Sequence, residues 1–180
     1  LSTITNILQW LNAPEKMSIK VAQMLQLISQ YSNQYPRYAL VNYLFTEGIE
    51  QDEKLKNFLR TIVKYYYYRG ATIQVKYETY RINKFIAKHQ KIEPYDCSDI
   101  DEDYFEHLGL LRNGYALLAH YLMFPDKYES NIYFDKIIYR RDFEMLPIEW
   151  HTKNFDEINN NIANFVVLDI PKKSLSLKAK

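Results

Sequence analysis

Apolar residues recur at helical spacing through most of this 180-residue chain and lose that rhythm near its end. Ile4, Ile7, Leu8 and Leu11 share one helical face, and Asn12-Ala13-Pro14 closes that first helix. Ser18 is placed to cap a second, whose inner face carries Val21, Met24, Leu25, Ile28 and Tyr31. Tyr35-Pro36 opens a third with Leu40, Tyr43 and Leu44 inward, ending near Gly48. Asp52 opens a long fourth through Leu55, Phe58, Leu59, Ile62, Val63 and Tyr66, stopped at Gly70.

The spacing predicts a fifth helix over 72–88, with Tyr77, Tyr80, Ile82, Phe85 and Ile86 apolar and lysines between them; Thr72 to Val75 also alternates as a strand would. The polar stretch 89–103, with Pro94 and the acidic run Asp96 to Asp103, reads as a surface loop, and a short helix around Tyr104 to Leu111 follows. Tyr115 to Phe124 is apolar nearly all round, which predicts a buried central helix halted by Pro125. Residues 126–141 show no clear period. The segments 142–146 and 164–170 read as strands, and a lysine-rich tail closes the chain. The expected fold is mainly α: a helical bundle over 1–125, then a small mixed α/β, ββα-like tail over 126–180.

Composition narrows the function classes. Apolar residues make up 47% and charged residues 25%, as in ordinary folded domains, and the net charge of +1 offers no bulk attraction for nucleic acid or membrane. The single cysteine, Cys97, excludes an intrachain disulfide and any multi-cysteine zinc site, and a reducing, cytoplasmic setting is expected. No apolar run approaches the roughly 18 residues of a membrane span. The four glycines leave little room for a phosphate-cradling loop. Opening on Leu1 rather than Met, the chain reads as the C-terminal part of something longer.

Chemistry concentrates between Asp142 and Leu168. The order is a helical region with Tyr35-Pro36, the apolar Tyr115 to Met123 helix, Glu144-x-Leu146-Pro147, then Asn160-x-Ile162-x-Asn164-Phe165-x-x-Leu168. This order resembles the C-terminal region of GmrSD-type modification-dependent restriction endonucleases, over most of residues 16–180. The resemblance implies a helical domain leading into a His-Asn-His nuclease module, with a nucleotide-hydrolysing domain upstream. In such modules a histidine activates a water, a divalent metal neutralises the phosphate, and a middle asparagine positions the loop that carries the base.

This chain follows that pattern only in part. Anchoring on Leu146-Pro147 puts Glu144 at the base position; taking Glu144 as the acidic residue puts Met145 there. Asn164 matches the middle asparagine, with Ala163 where the family has glycine, and Asp169 is the sole metal-capable residue in the stretch after Leu168. His151 is the nearest histidine. The resemblance therefore implies Glu144, His151 and Asn164 as the catalytic set, and Glu144 with Asp169 as ligands of Mg²⁺ or Mn²⁺. Glu149 and Asp156 would extend that carboxylate cluster.

The implied protein is a DNA-directed defence component, weak or inactive as a nuclease, that supports DNA contact or subunit assembly. Its partners would be double-stranded DNA, an upstream domain or a partner subunit, with no membrane role. Lys172, Lys173 and Lys178 of the basic tail are the expected phosphate contacts. Two other readings stand beside it: a helical protein-interaction module with no nucleic-acid role, and an active metal-dependent endonuclease with a rearranged site. The run Lys64 to Arg69 carries four consecutive tyrosines, which span every face of a helix, so one or two are expected to point inward as core. Lys84, Lys88, His89 and Lys91 would form a basic face on the fifth helix, read as solvated. His107 and His120 read as core or boundary residues.

Overall fold

The computed structural model describes residues 2–31, 33–69, 75–92, 111–151 and 154–169. Six helices come first: α1 (Ser2–Leu11), α2 (Ile19–Ser29), α3 (Tyr35–Glu47), α4 (Glu53–Arg69), α5 (Val75–Ala87) and α6 (Arg112–Met123). Strand β1 (Tyr133–Lys136), the short helices α7 (Arg140–Glu144) and α8 (Phe155–Asn160), and strand β2 (Phe165–Leu168) complete the described chain. The protein is mainly helical with a small antiparallel sheet near its C-terminal end.

Local chemistry accounts for the helix ends. Pro14 cannot continue α1 and instead opens a short 3-10 turn to Lys16. Ser18 has the extended backbone of a cap residue, yet its side chain makes no capping bond; its own N–H donates to Gln51 Oε1 at 2.7 Å. Asp52 caps α4 by accepting from the Leu55 N–H at 2.9 Å. Gly48 ends α3 at φ 94°, ψ −176°, a conformation essentially reserved for glycine.

The core is built on α4. Leu55, Phe58, Leu59, Ile62, Val63 and Tyr66 are all buried, and so are the neighbouring Tyr65 and Tyr67. Three consecutive buried tyrosines require partners on several sides: α2 packs along α4, and α3 packs against both α4 and α5. The hydroxyls of Tyr66 and Tyr67 find partners across the bundle, as buried polar groups generally do. Tyr67 donates to the Leu27 carbonyl at 2.7 Å, Tyr31 donates to the Tyr66 carbonyl at 2.7 Å, and Tyr66 bonds Thr79 at 2.7 Å. Tyr115 of α6 donates to the Tyr67 carbonyl. Burial pushes the Tyr66 hydroxyl up to about 12 and the Tyr67 hydroxyl higher still.

Four expectations need correction. The segment 142–146 is not a strand: Asp142 accepts from the Tyr139 N–H at 3.3 Å, which favours the turn of α7, and Phe143 alone of that segment is buried. The strand that pairs with β2 is instead 133–136, in the register Tyr133 to Leu168 through Lys136 to Phe165. Its alternation was masked because the buried position is an aspartate, Asp135. Tyr77 and Tyr80 of α5 face solvent, while Ile82 and Ile86 face the core. The last turn of α6 is exposed too, with Leu122 74% and Met123 68% accessible, so this helix is central only over Gly114 to Leu117 and at Tyr121.

Two sets of contacts hold the C-terminal elements to the bundle. Polar side chains of α2 bind the backbone after α6: Lys20 donates to the Pro125 carbonyl, Gln23 to those of Pro125 and Lys127, and Gln26 to that of Glu129. Helix α6 also packs on β2, with the Arg112 guanidinium 5.6 Å from the Phe165 ring centroid. The expected start of the fifth helix at 72–74, the acidic run, and the helix from Tyr104 lie outside the described residues, apart from the buried Leu111.

Candidate functional site

The C-terminal candidates sit around the corner between β1 and α7. Asn164 is 4% exposed and is held in a 3-10 turn, Ile162–Asn164, that leads into β2. Its Oδ1 accepts from the Ile138 N–H at 2.7 Å and its Nδ2 donates to the Ile138 carbonyl at 3.0 Å. Its backbone carbonyl accepts from the Ile137 N–H at 2.9 Å. One side chain therefore replaces a sheet partner where β1 ends, and sets where α7 starts.

Beneath that corner lies a second polar group that sequence reasoning missed. The Asp135 carboxylate, 2% exposed, accepts from the Tyr139 hydroxyl and from the Lys136 N–H. Lys136 in turn donates to Asn159 of α8, and its ammonium lies 5.8 Å from the Phe165 centroid. The available signal was a lone acid inside the apolar run Ile132 to Ile138. Burying a carboxylate is costly, and these two donors to its Oδ1 offset part of that cost.

His151 is exposed at its edge but not loose. Its ring stacks on Phe143 with centroids 4.4 Å apart and planes 20° apart, and Nε2 lies 2.9 Å from the Phe143 carbonyl. A carbonyl only accepts, so Nε2 carries the proton, which leaves Nδ1 as the nitrogen with a lone pair. Phe143 also meets Phe155 at 5.7 Å, and Arg140 lies over Phe155 while pairing with Asp156 at 2.9 Å. These contacts pack α7 against α8.

Glu144, the last residue of α7, is exposed and forms no ion pair with the described residues. Asp169 is exposed directly after β2. It lies five residues beyond Asn164, at the opposite end of the strand, which in extended chain is roughly 16 Å away. The structure thus brings Asn164 to the start of α7 and His151 to its end, and sets Asp169 apart from Asn164. Among the described residues no group of three or more His, Cys, Asp or Glu side chains converges to hold a metal ion. Lys172, Lys173 and Lys178, with Cys97 and His107, lie outside the described residues.

A separate cleft of about 470 Å³ opens between α3, α4 and the residues after α5. Tyr43 stacks on Phe58 on its apolar side, 3.7 Å between centroids, and burial pushes the Tyr43 hydroxyl up to about 12. On the polar side a hydrogen bond from Lys54 holds the Glu47 carboxyl below the usual carboxylate range, and His89 Nδ1 lies 3.5 Å from the same carboxylate. His120, on α6, sits between Tyr121 and Phe124 at the bundle boundary.

Comparison with family models, with curated proteins and with solved structures returns no match. Among the described residues no helix is long and apolar enough to cross a membrane.

Proposed function

We propose that this chain belongs to a DNA-directed restriction or defence protein, in which a helical bundle carries a nuclease-like unit that is weak or inactive in catalysis. The observation that carries the reading is the two-point hold of Asn164 on Ile138. In the nucleases this sequence resembles, a middle asparagine positions the loop bearing the base, and here it positions α7, which bears Glu144. The catalytic half of the set departs from that plan. Met145 has no proton chemistry, and the Nε2 of His151 already serves the Phe143 carbonyl. In this reading the unit contributes DNA contact, with Lys172, Lys173 and Lys178 on phosphates, or subunit assembly.

The test is plasmid cleavage by the purified chain with Mg²⁺ and then Mn²⁺, on bare and modified DNA, with Glu144→Ala alongside. The expected result is no cleavage above background. Cleavage that needs the metal and disappears in Glu144→Ala and His151→Ala would replace this reading with an active, rearranged endonuclease whose metal is held by Glu144 and Asp169.

A second reading, a helical interaction module without a nucleic-acid role, draws on the exposed apolar end of α6. Leu122, Met123 and Phe124 are 74%, 68% and 43% accessible. It predicts concentration-dependent self-association that Leu122→Ser with Met123→Ser abolishes in sedimentation velocity.

A further inference from the structure

The outer face of α5 collects cations that form no ion pair among the described residues. At about 100° per residue, Lys76, Tyr77, Tyr80, Arg81 and Lys84 of α5, with Lys88 just past its end and still bonded to the Lys84 carbonyl, fall within an arc of roughly 140°. All six are exposed, the tyrosines by 63% and 59%. The single carboxylate of this helix, Glu78, is off the arc, with its Oε2 buried. None of the four cations forms an ion pair with the described residues, whereas Lys54, Lys56, Arg140 and Arg141 elsewhere do. Unpaired cations in a chain of net charge +1 are a local field rather than a consequence of composition.

The face is rigidly mounted. Thr79, Ile82 and Ile86 on the opposite side are buried, and Asn42 of α3 bonds Asn83 at 3.1 Å. Arg81 is steadied over the Tyr65 and Phe85 rings at 5.6 and 5.9 Å. A fixed helix presents its cations without backbone ordering cost on binding, leaving only the rotamer freedom of the lysines to be lost.

We propose that this face of α5 docks duplex DNA through its phosphates, with Lys76, Arg81, Lys84 and Lys88 as charge partners and the Tyr77 and Tyr80 hydroxyls as hydrogen-bond donors. The commitment to a duplex follows from shape: single strands favour a basic groove that tracks the backbone, whereas α5 is a convex, exposed rod that fits against a groove. The inference rests on the reading that the protein acts on DNA, and it places the contact on the bundle as well as on the tail.

Fluorescence anisotropy of the whole chain against a short labelled duplex, and against one of its strands alone, tests this across a salt series. Lys84→Gln with Lys88→Gln should weaken duplex binding about tenfold and lower the magnitude of the log–log salt slope by about 2. Lys54→Gln, whose ammonium is paired with Glu47, should leave both unchanged. Melting curves matching the parent protein would show that each variant folds. Duplex binding that is untouched in the double variant would overturn the α5 surface and leave the DNA reading standing. No duplex binding by the parent chain would overturn both. Tighter binding to the single strand, lost in Tyr77→Ala with Tyr80→Ala while duplex binding persists, would overturn the duplex assignment.

Discussion

The side-chain amide of Asn164 meets both polar groups of Ile138, accepting from its N–H at 2.7 Å and donating to its carbonyl at 3.0 Å. At neutral pH no other residue type offers a donor and an acceptor on one short planar group at that reach, glutamine being a methylene too long. Asn164→Ala should therefore destabilise the protein by about 1–3 kcal/mol, since two backbone groups lose their partner. Asn164→Asp should be at least as damaging at neutral pH, because an oxygen would oppose the Ile138 carbonyl, and should recover part of the loss in acid as the carboxyl gains a proton to donate. Urea unfolding of both variants at two pH values checks this; an aspartate variant insensitive to pH would argue against the bond.

Gly114 packs where a side chain cannot fit. A Cβ there would fall 2.7 Å from the Tyr67 hydroxyl and 3.1 Å from Leu111 Cδ1, and that hydroxyl is tied to the Leu27 carbonyl. Alanine is favoured over glycine by about 1 kcal/mol in a helix. Even so, Gly114→Ala should destabilise by about 1–3 kcal/mol through overpacking. Adding Tyr67→Phe should give back part of that loss, measured as non-additivity in a double-mutant cycle.

Gly48 ends α3 at a positive φ that side chains rarely adopt. Gly48→Ala should lower stability by about 1–3 kcal/mol from backbone strain alone. Glu50, whose carboxylate lies where the new Cβ would stand, is a flexible side chain that would move aside. Glu50→Ala in the same background should therefore recover little in thermal melts.

His120 supplies a pH dependence. Burial, reinforced by Lys127, lowers its pKa from 6.5 in the folded state, although Glu129 pulls the other way. As pH falls below 6.5 the unfolded chain takes up the proton first, so this residue's contribution to stability is present above that pH and is lost on acidification. His120→Gln should flatten the decline in melting temperature between neutral pH and about pH 5. An unchanged slope would assign the acid sensitivity to other groups.

The periodicity of apolar residues was enough to determine α1 to α6, because burial in a bundle and helical spacing are the same statement made twice; it missed the short α7 and α8. Leu40, Tyr43 and Leu44 face inward as their spacing requires, and Gly48 ends its helix for a reason visible in one residue type. Local pattern also marked the short C-terminal strand, while Asn164 came into view only through the resemblance to a nuclease motif. Only the tertiary structure decided which strand pairs with β2, because the buried position of 133–136 is an aspartate that accepts from the Tyr139 hydroxyl, a contact no hydropathy pattern records. It alone decided that three adjacent tyrosines are core, since that depends on helices packing on several sides of α4. It also turned Tyr77 and Tyr80 outward, because α3 occupies the opposite side of α5, and so made a charged, aromatic surface from residues whose spacing had suggested a core.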